Sequence, residues 1–191
     1  GNAGMYCLPW LKELSSIDAG DEKAEANLQR IVTRFKDHPA MGCWKGADEP
    51  EWANEFIEPM VHTRELLRKL DPDHPVWIVQ APQGTVDGMR EYNDTMDITG
   101  QDIYPIAYPP GLHSLLPNKE MSMVGDYTKM MMAVAGGKKP VWIVLQIAWS
   151  GVAKEGKTLR FPTFPEERFM TFQAIINGAR GVQYFGGSLP M

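Results

Sequence analysis

The sequence predicts an α/β fold: a partial TIM (β/α)8 barrel of about six parallel strands with intervening helices, in a single domain over residues 1–191. Three observations lead there. Short apolar runs rich in Val, Ile, Trp and Tyr alternate with longer segments of helical periodicity, as repeated βα units require. The string PVWIVQ at Pro75 returns as PVWIVLQ at Pro140, and DHP occurs before a strand at Asp37 and again at Asp73, so the units repeat. Proline follows Leu8, Glu49, Ala81 and Tyr104, closing four strands and holding the residue before it extended. An open doubly wound sheet satisfies the same alternation and is the alternative.

The strands in order are MYCL (5–8), MGCWKGA (41–47), VWIVQ (76–80), ITGQDIY (98–104), VWIVLQI (141–147) and VQYF (182–185). Helices are expected over 21–36, 58–70, 86–93, 120–135 and 166–176. In the second helix Val61, Leu66, Leu67 and Leu70 recur at helical spacing while Arg64, Glu65, Arg68 and Lys69 take the wet face, and Pro59 fits the first turn. The Met-rich stretch MSMVGDYTKMMMAVA has apolar residues at helical spacing, a packed helix rather than a metal box. Residues 151–165 read as a long loop above the strand ends. Glu49 and Tyr104 are expected to be the last extended residues of their strands, at the carboxyl end where parallel α/β folds bind ligands.

A hydrophobic fraction of 43% in 191 residues is enough for one sizeable core. The net charge of -5 supplies no basic field for phosphate backbones, which argues against nucleic acid, and no apolar run reaches membrane-spanning length. Cys7 and Cys43 lie in apolar segments and are expected to be small buried hydrophobes rather than a disulfide or metal ligands. Residues 1–4 show neither the basic start nor the apolar stretch of a signal peptide. A complete barrel typically runs to about 250 residues. Six strands and five helices therefore predict a fragment of a longer chain.

The order HPAMGCWKGADEPEW, LRKLDPDHPVW, DITGQDIYPI, KPVWIVLQIAW, PEERFMTFQAIINGARGVQYF resembles the (β/α)8 catalytic domains of bacterial glycoside hydrolases, from the third strand to the eighth. Only this resemblance implies that the first two βα units and the last helix are the ones outside the chain. The resemblance implies a carbohydrate substrate, no cofactor, and a secreted or periplasmic location. It places Glu49 at the end of the fourth strand, where many such enzymes carry the general acid. Asp48 before it is similar to the Asp-Glu pair of hexosaminidase-like families, in which the Asp orients the substrate's acetamido group. The seventh-strand position of the covalent nucleophile is held here by Gln146, and an amide cannot serve, so a substrate-assisted or inverting mechanism is implied.

The residues by themselves point the same way and leave alternatives. Asp48 and Glu49 are the acid and charge-stabilising types that glycoside cleavage needs, and adjacent carboxylates raise one another's pKa. Neighbouring strand residues face opposite sides, so both reach a ligand only if the strand bends at its tip. Otherwise they cap the next helix, with Pro50 in its first turn. Asp102 and Tyr104 share a strand face; Asp102 is a further catalytic candidate, as the base of an inverting pair, and Tyr104 a sugar contact. The bland alternative pairs Asp102 with Lys45. Gln146 is either a sugar or Glu49 contact or an interior amide satisfied by neighbouring strands. Trp10, Trp149, Tyr184 and Phe185 cluster near strand ends, where flat aromatic faces suit sugar rings or belong to the core.

His38 and His74 precede strands, at the opposite end from the site, and His62 and His113 have no metal-ligand spacing. Gly186-Gly187 lacks any nucleotide-binding motif around it and reads as a turn.

Overall fold

A computed structural model describes residues 4–112, 114–149 and 155–186. The described strands are β1 (Trp44–Asp48), β2 (Val76–Gln80), β3 (Ile98–Ile103), β4 (Ala107–Tyr108), β5 (Val141–Gln146), β6 (Thr158–Leu159) and β7 (Gly181–Phe185). Five of them form one parallel sheet in the order β1-β2-β3-β5-β7, and β4 and β6 pair antiparallel as a small separate ribbon. Each large strand lies beside the next one in sequence, without reversal of direction. A doubly wound sheet needs a reversal and helices on both faces, so that alternative is overturned.

The helices α1 (Glu22–Phe35), α2 (Ile57–Leu70), α3 (Val86–Glu91), α4 (Met123–Ala135) and α5 (Phe164–Ile176) follow the sequence periodicity. Their ends have local causes. Asp21 accepts from the Ala24 N–H at 3.0 Å to start α1, Thr163 and Glu166 form a capping box ahead of α5, and Gly136 at φ 58° ends α4. Arg64 of α2 is not on the wet face, because it pairs with Asp97 beside the start of β3.

The two sides of the sheet differ in kind. Ile103, Val141, Ile143 and Leu145 pack against Met123, Tyr127, Met131 and Met170 of α4 and α5. The opposite face packs strand residues on strand residues, with Cys43, Trp77, Val79, Ile98 and Val144 meeting Leu8, Tyr104 and Trp142. Trp77 and Trp142 fill its lower part with ring centres 5.9 Å apart. Glycine makes room for them: a Cβ on Gly100 would lie 2.9 Å from Trp77 Nε1, and one on Gly181 would lie 2.6 Å from Trp142 Cδ1. This is the filled interior of a barrel wall, with helices on the outside only.

The expected first strand is reduced. Residues 5–8 form no extended ladder, and the chain meets its neighbour through two isolated parallel bridges, Cys7 to Met41 and Trp10 to Lys45. Pro9 lies between them and lacks the N–H that would continue the pairing. Cys7 is consequently exposed rather than buried, whereas Cys43 is in the core, and both are free thiols. His113, residues 150–154 of the long loop, and Gly187 with the residues after it lie outside the described residues.

Candidate active site

The Asp48-Glu49 pair owes its geometry to a β-bulge. Lys45 is opposite Trp77, but Asp48 is opposite Val79, so three steps on β1 match two on β2. The extra residue returns Asp48 to the face of Lys45, and Lys45 Nζ reaches Asp48 Oδ1 at 2.6 Å. Glu49 then turns at φ 53° while its N–H still donates to the Val79 carbonyl at 2.7 Å. It is therefore not extended, as the following proline suggested; it occupies the left-handed region, which costs a non-glycine residue roughly 1 kcal/mol. The bend needed for both carboxylates to face one ligand is present. Neither residue caps a helix: α2 begins at Ile57, and Phe56 at its N-cap makes no side-chain bond.

Asp102 and Tyr104 face the same interior side as predicted. Tyr104 stacks on Phe185 with ring centres 5.4 Å apart, and Glu49, Asp102 and Tyr104 come together at the top of the interior. Glu49 and Asp102 border the same cleft, and each carboxyl bears on the other's ionisation, so in this buried place one retained proton is favoured over two charges. Asp102 Oδ1 is buried without a hydrogen-bond partner. Lys45 does not pair with Asp102; it lies on Asp48 and over the Trp10 ring, 4.3 Å from its centre.

Burial is the largest cause pushing Asp102 up, to about 8, followed by the charge of Glu49. The Tyr104 hydroxyl contact opposes the rise. Glu49 is likewise raised, by burial first and the Asp48 charge second, against the contact with Asp102 and the Lys45 ammonium. Burial and the Asp102 charge raise Tyr104, keeping it a hydroxyl donor. At neutral pH this group retains a proton that isolated carboxylates would have lost.

These groups line a cleft of about 440 Å³, together with Trp10, Lys45, Trp77, Gln183 and Phe185. Other candidates are placed elsewhere. Gln146 is fully buried, its Oε1 accepts from the Ile106 N–H at 2.8 Å, and its Nε2 donates to the Ile106 and Ala148 carbonyls at 3.2 and 3.1 Å. The amide is spent on the backbone segment that folds over the end of β5, so the interior-amide reading is the one the structure gives. Trp149 packs edge-on to Phe161 at 5.1 Å and does not line the cleft. Tyr184 borders the cleft but meets Thr171 of α5, with hydroxyl oxygens 2.8 Å apart. Residues missed from the sequence are Lys45, Trp77 and Gln183; strand alternation from Asp48, Val79 and Phe185 puts each on the interior face once the bulge in β1 is known.

Neither a family model nor a curated protein matches the chain in sequence. Its fold matches solved structures. A polyextremophilic beta-galactosidase from the Antarctic haloarchaeon Halorubrum lacusprofundi superposes with a TM-score of 0.67 at 14% identity, over 90% of this chain and 36% of that one. A beta-galactosidase from Bacillus circulans sp. alkalophilus gives 0.63 at 15% identity, over 85% and 33%. A glycoside hydrolase family 5 mannosidase from Rhizomucor miehei gives 0.57 at 12% identity, over 85% and 45%. The chain has the α/β fold of part of a TIM-barrel glycoside hydrolase, and it spans about a third of the length of the beta-galactosidases it matches.

Proposed function

We propose that this chain carries the acid side of a glycosidase site, with Glu49 as the general acid. The carrying observation is that the bulge and turn at the end of β1 bring Asp48 and Glu49 to one cleft with the buried Asp102. Glu49 gives its proton to the bridging oxygen as the sugar C–O bond breaks and the bonding electrons pass to that oxygen. Positive charge then grows at the sugar carbon, and the Asp48 carboxylate opposes it. Trp10, Tyr104 and Phe185 offer flat faces to the ring, and Tyr104 and Gln183 offer polar groups to its hydroxyls.

The burial of Asp102 argues against it as the base of an inverting pair. A general base must be ionised at the working pH, and a carboxyl pushed up to about 8 by burial keeps its proton near neutrality. A nucleophile belonging to the substrate, with Asp48 as the orienting partner, is the reading that remains for this chain's own residues. Glu49→Gln should lower cleavage of an aryl glycoside by about 10²–10⁴, and unchanged turnover in that variant would remove the proposal. A second reading is a carbohydrate-binding barrel without turnover, favoured by Gln146 being sealed beneath Ile106 where a covalent nucleophile would stand. Glycan binding by the wild type with no release of reducing sugar would select it.

A further inference from the structure

We propose, resting on the glycosidase reading above, that the substrate is an unbranched oligosaccharide laid along the lip, with sugar units on both sides of Glu49, and that it is neutral or amine-bearing rather than a polyuronate. The central cleft does not end at its own walls. On one side it shares Trp10 and Asp48 with a cavity of about 700 Å³ that lies between residues 10–16 and the loop after β1. On the other it shares Glu49, Asp102 and Tyr104 with a cavity of about 220 Å³ that lies between that loop and residues 81–83. Both walls of each outer cavity come from described residues of this chain. Among the described residues the acid thus stands where three adjoining cavities meet, whereas recognition of a single terminal sugar calls for one blind pocket.

The ridge between the outer cavities is the loop 49–56, and it is held in place. The Tyr92 hydroxyl donates to the Glu55 carbonyl at 2.8 Å and to the Pro50 carbonyl at 3.3 Å, and the Glu51 N–H donates to Gln80 Oε1 at 3.3 Å. The Glu51 carboxylate fills a niche that glycine leaves open, since a Cβ on Gly84 would lie 2.3 Å from Glu51 Oε2 and one on Gly88 2.6 Å from Oε1. Each flank of this fixed ridge presents an aromatic ring to solvent: Phe56, 78% exposed, borders the larger outer cavity, and Trp52, 59% exposed, borders the smaller. Exposed flat rings on either side of an acid match the apolar faces of successive sugar units. Glu13, Asp48, Glu49, Glu55 and Asp102 supply the groove's carboxyls, and even with one proton kept by Glu49 and Asp102 they outnumber its cations, Lys12 over the Trp10 ring and Lys45 on Asp48. A chain of uronates would meet repulsion along its length.

The test uses Glu49→Gln, which slows turnover, and calorimetric titration with monosaccharides and with neutral, amine-bearing and uronate oligosaccharides of two to six units. Affinity should rise at least tenfold from one unit to four, and Trp52→Ala or Phe56→Ala should lower the ratio of tetraose to monosaccharide affinity by roughly fivefold to tenfold. Equal affinity for one unit and four overturns the inference and leaves the glycosidase reading standing. Uronate chains binding as tightly as neutral ones overturn the charge assignment. If neither the wild type nor the variant binds or cleaves any of these glycans, the glycosidase reading fails and takes the inference with it.

Discussion

Replacing Asp102 by Asn should make the protein more stable at alkaline pH than the wild type, with little difference near pH 4. Asp102 is held up at about 8 by burial and by the charge of Glu49, whereas in the unfolded chain an Asp titrates near 3.9. The folded state therefore keeps a proton that the unfolded chain releases, and stability falls as pH rises from about 4 to about 8. Each pH unit in that window is worth about 1.4 kcal/mol, so the full effect has an upper bound of about 6 kcal/mol. Sharing the proton with Glu49 and admitting water on ionisation both reduce it, and about 2 kcal/mol is the expected difference between the proteins at pH 9. For a chain of this length that is roughly 4–8 °C in melting temperature. Urea denaturation of both proteins at pH 5 and pH 9, followed by circular dichroism, measures it. Parallel stability curves across that range would refute the buried, proton-holding state of Asp102.

Lys45→Met removes a cation that holds Glu49 down; the alkaline limb of the pH–activity profile, where the acid is lost, should move to higher pH, and a downward shift would contradict the assignment. Gly181→Ala puts a methyl group 2.6 Å from the Trp142 ring and should cost about 1–3 kcal/mol in urea denaturation through overpacking. Gln146→Leu removes three buried bonds to the backbone of Ile106 and Ala148; a loss of about 2–4 kcal/mol is expected from the groups left unsatisfied, and a neutral result would show that this segment does not need the amide.

Much of the framework was legible in the chain before any coordinates. VWIVQ at 76–80 became β2 without change of bounds, and the Met-rich stretch packed as α4 against the sheet. Period-2 and period-3.6 patterns are local signals, and a parallel sheet buried on both faces makes its strands apolar throughout. Asp102 and Tyr104 were also legible as a pair, since two residues apart on a strand means one face. Gln146 was not decidable, because a polar residue at a strand end is equally compatible with a ligand and with the backbone of a segment forty residues away. Only the fold of residues 104–106 over β5 distinguishes them.

The short motif GADEP illustrates the division. Its residue types and its place before a proline marked a carboxylate pair at the end of a strand, and the order of the later motifs put Asp102 within the same barrel wall. Whether both carboxylates could serve one ligand depended on an extra residue in the β1–β2 register and on Glu49 at φ 53°. Register and a left-handed turn are properties of two strands docking together, not of one strand's composition. The raised carboxyls are of the same kind: burial beside one another, which only the assembled strands produce, pushes both Glu49 and Asp102 up.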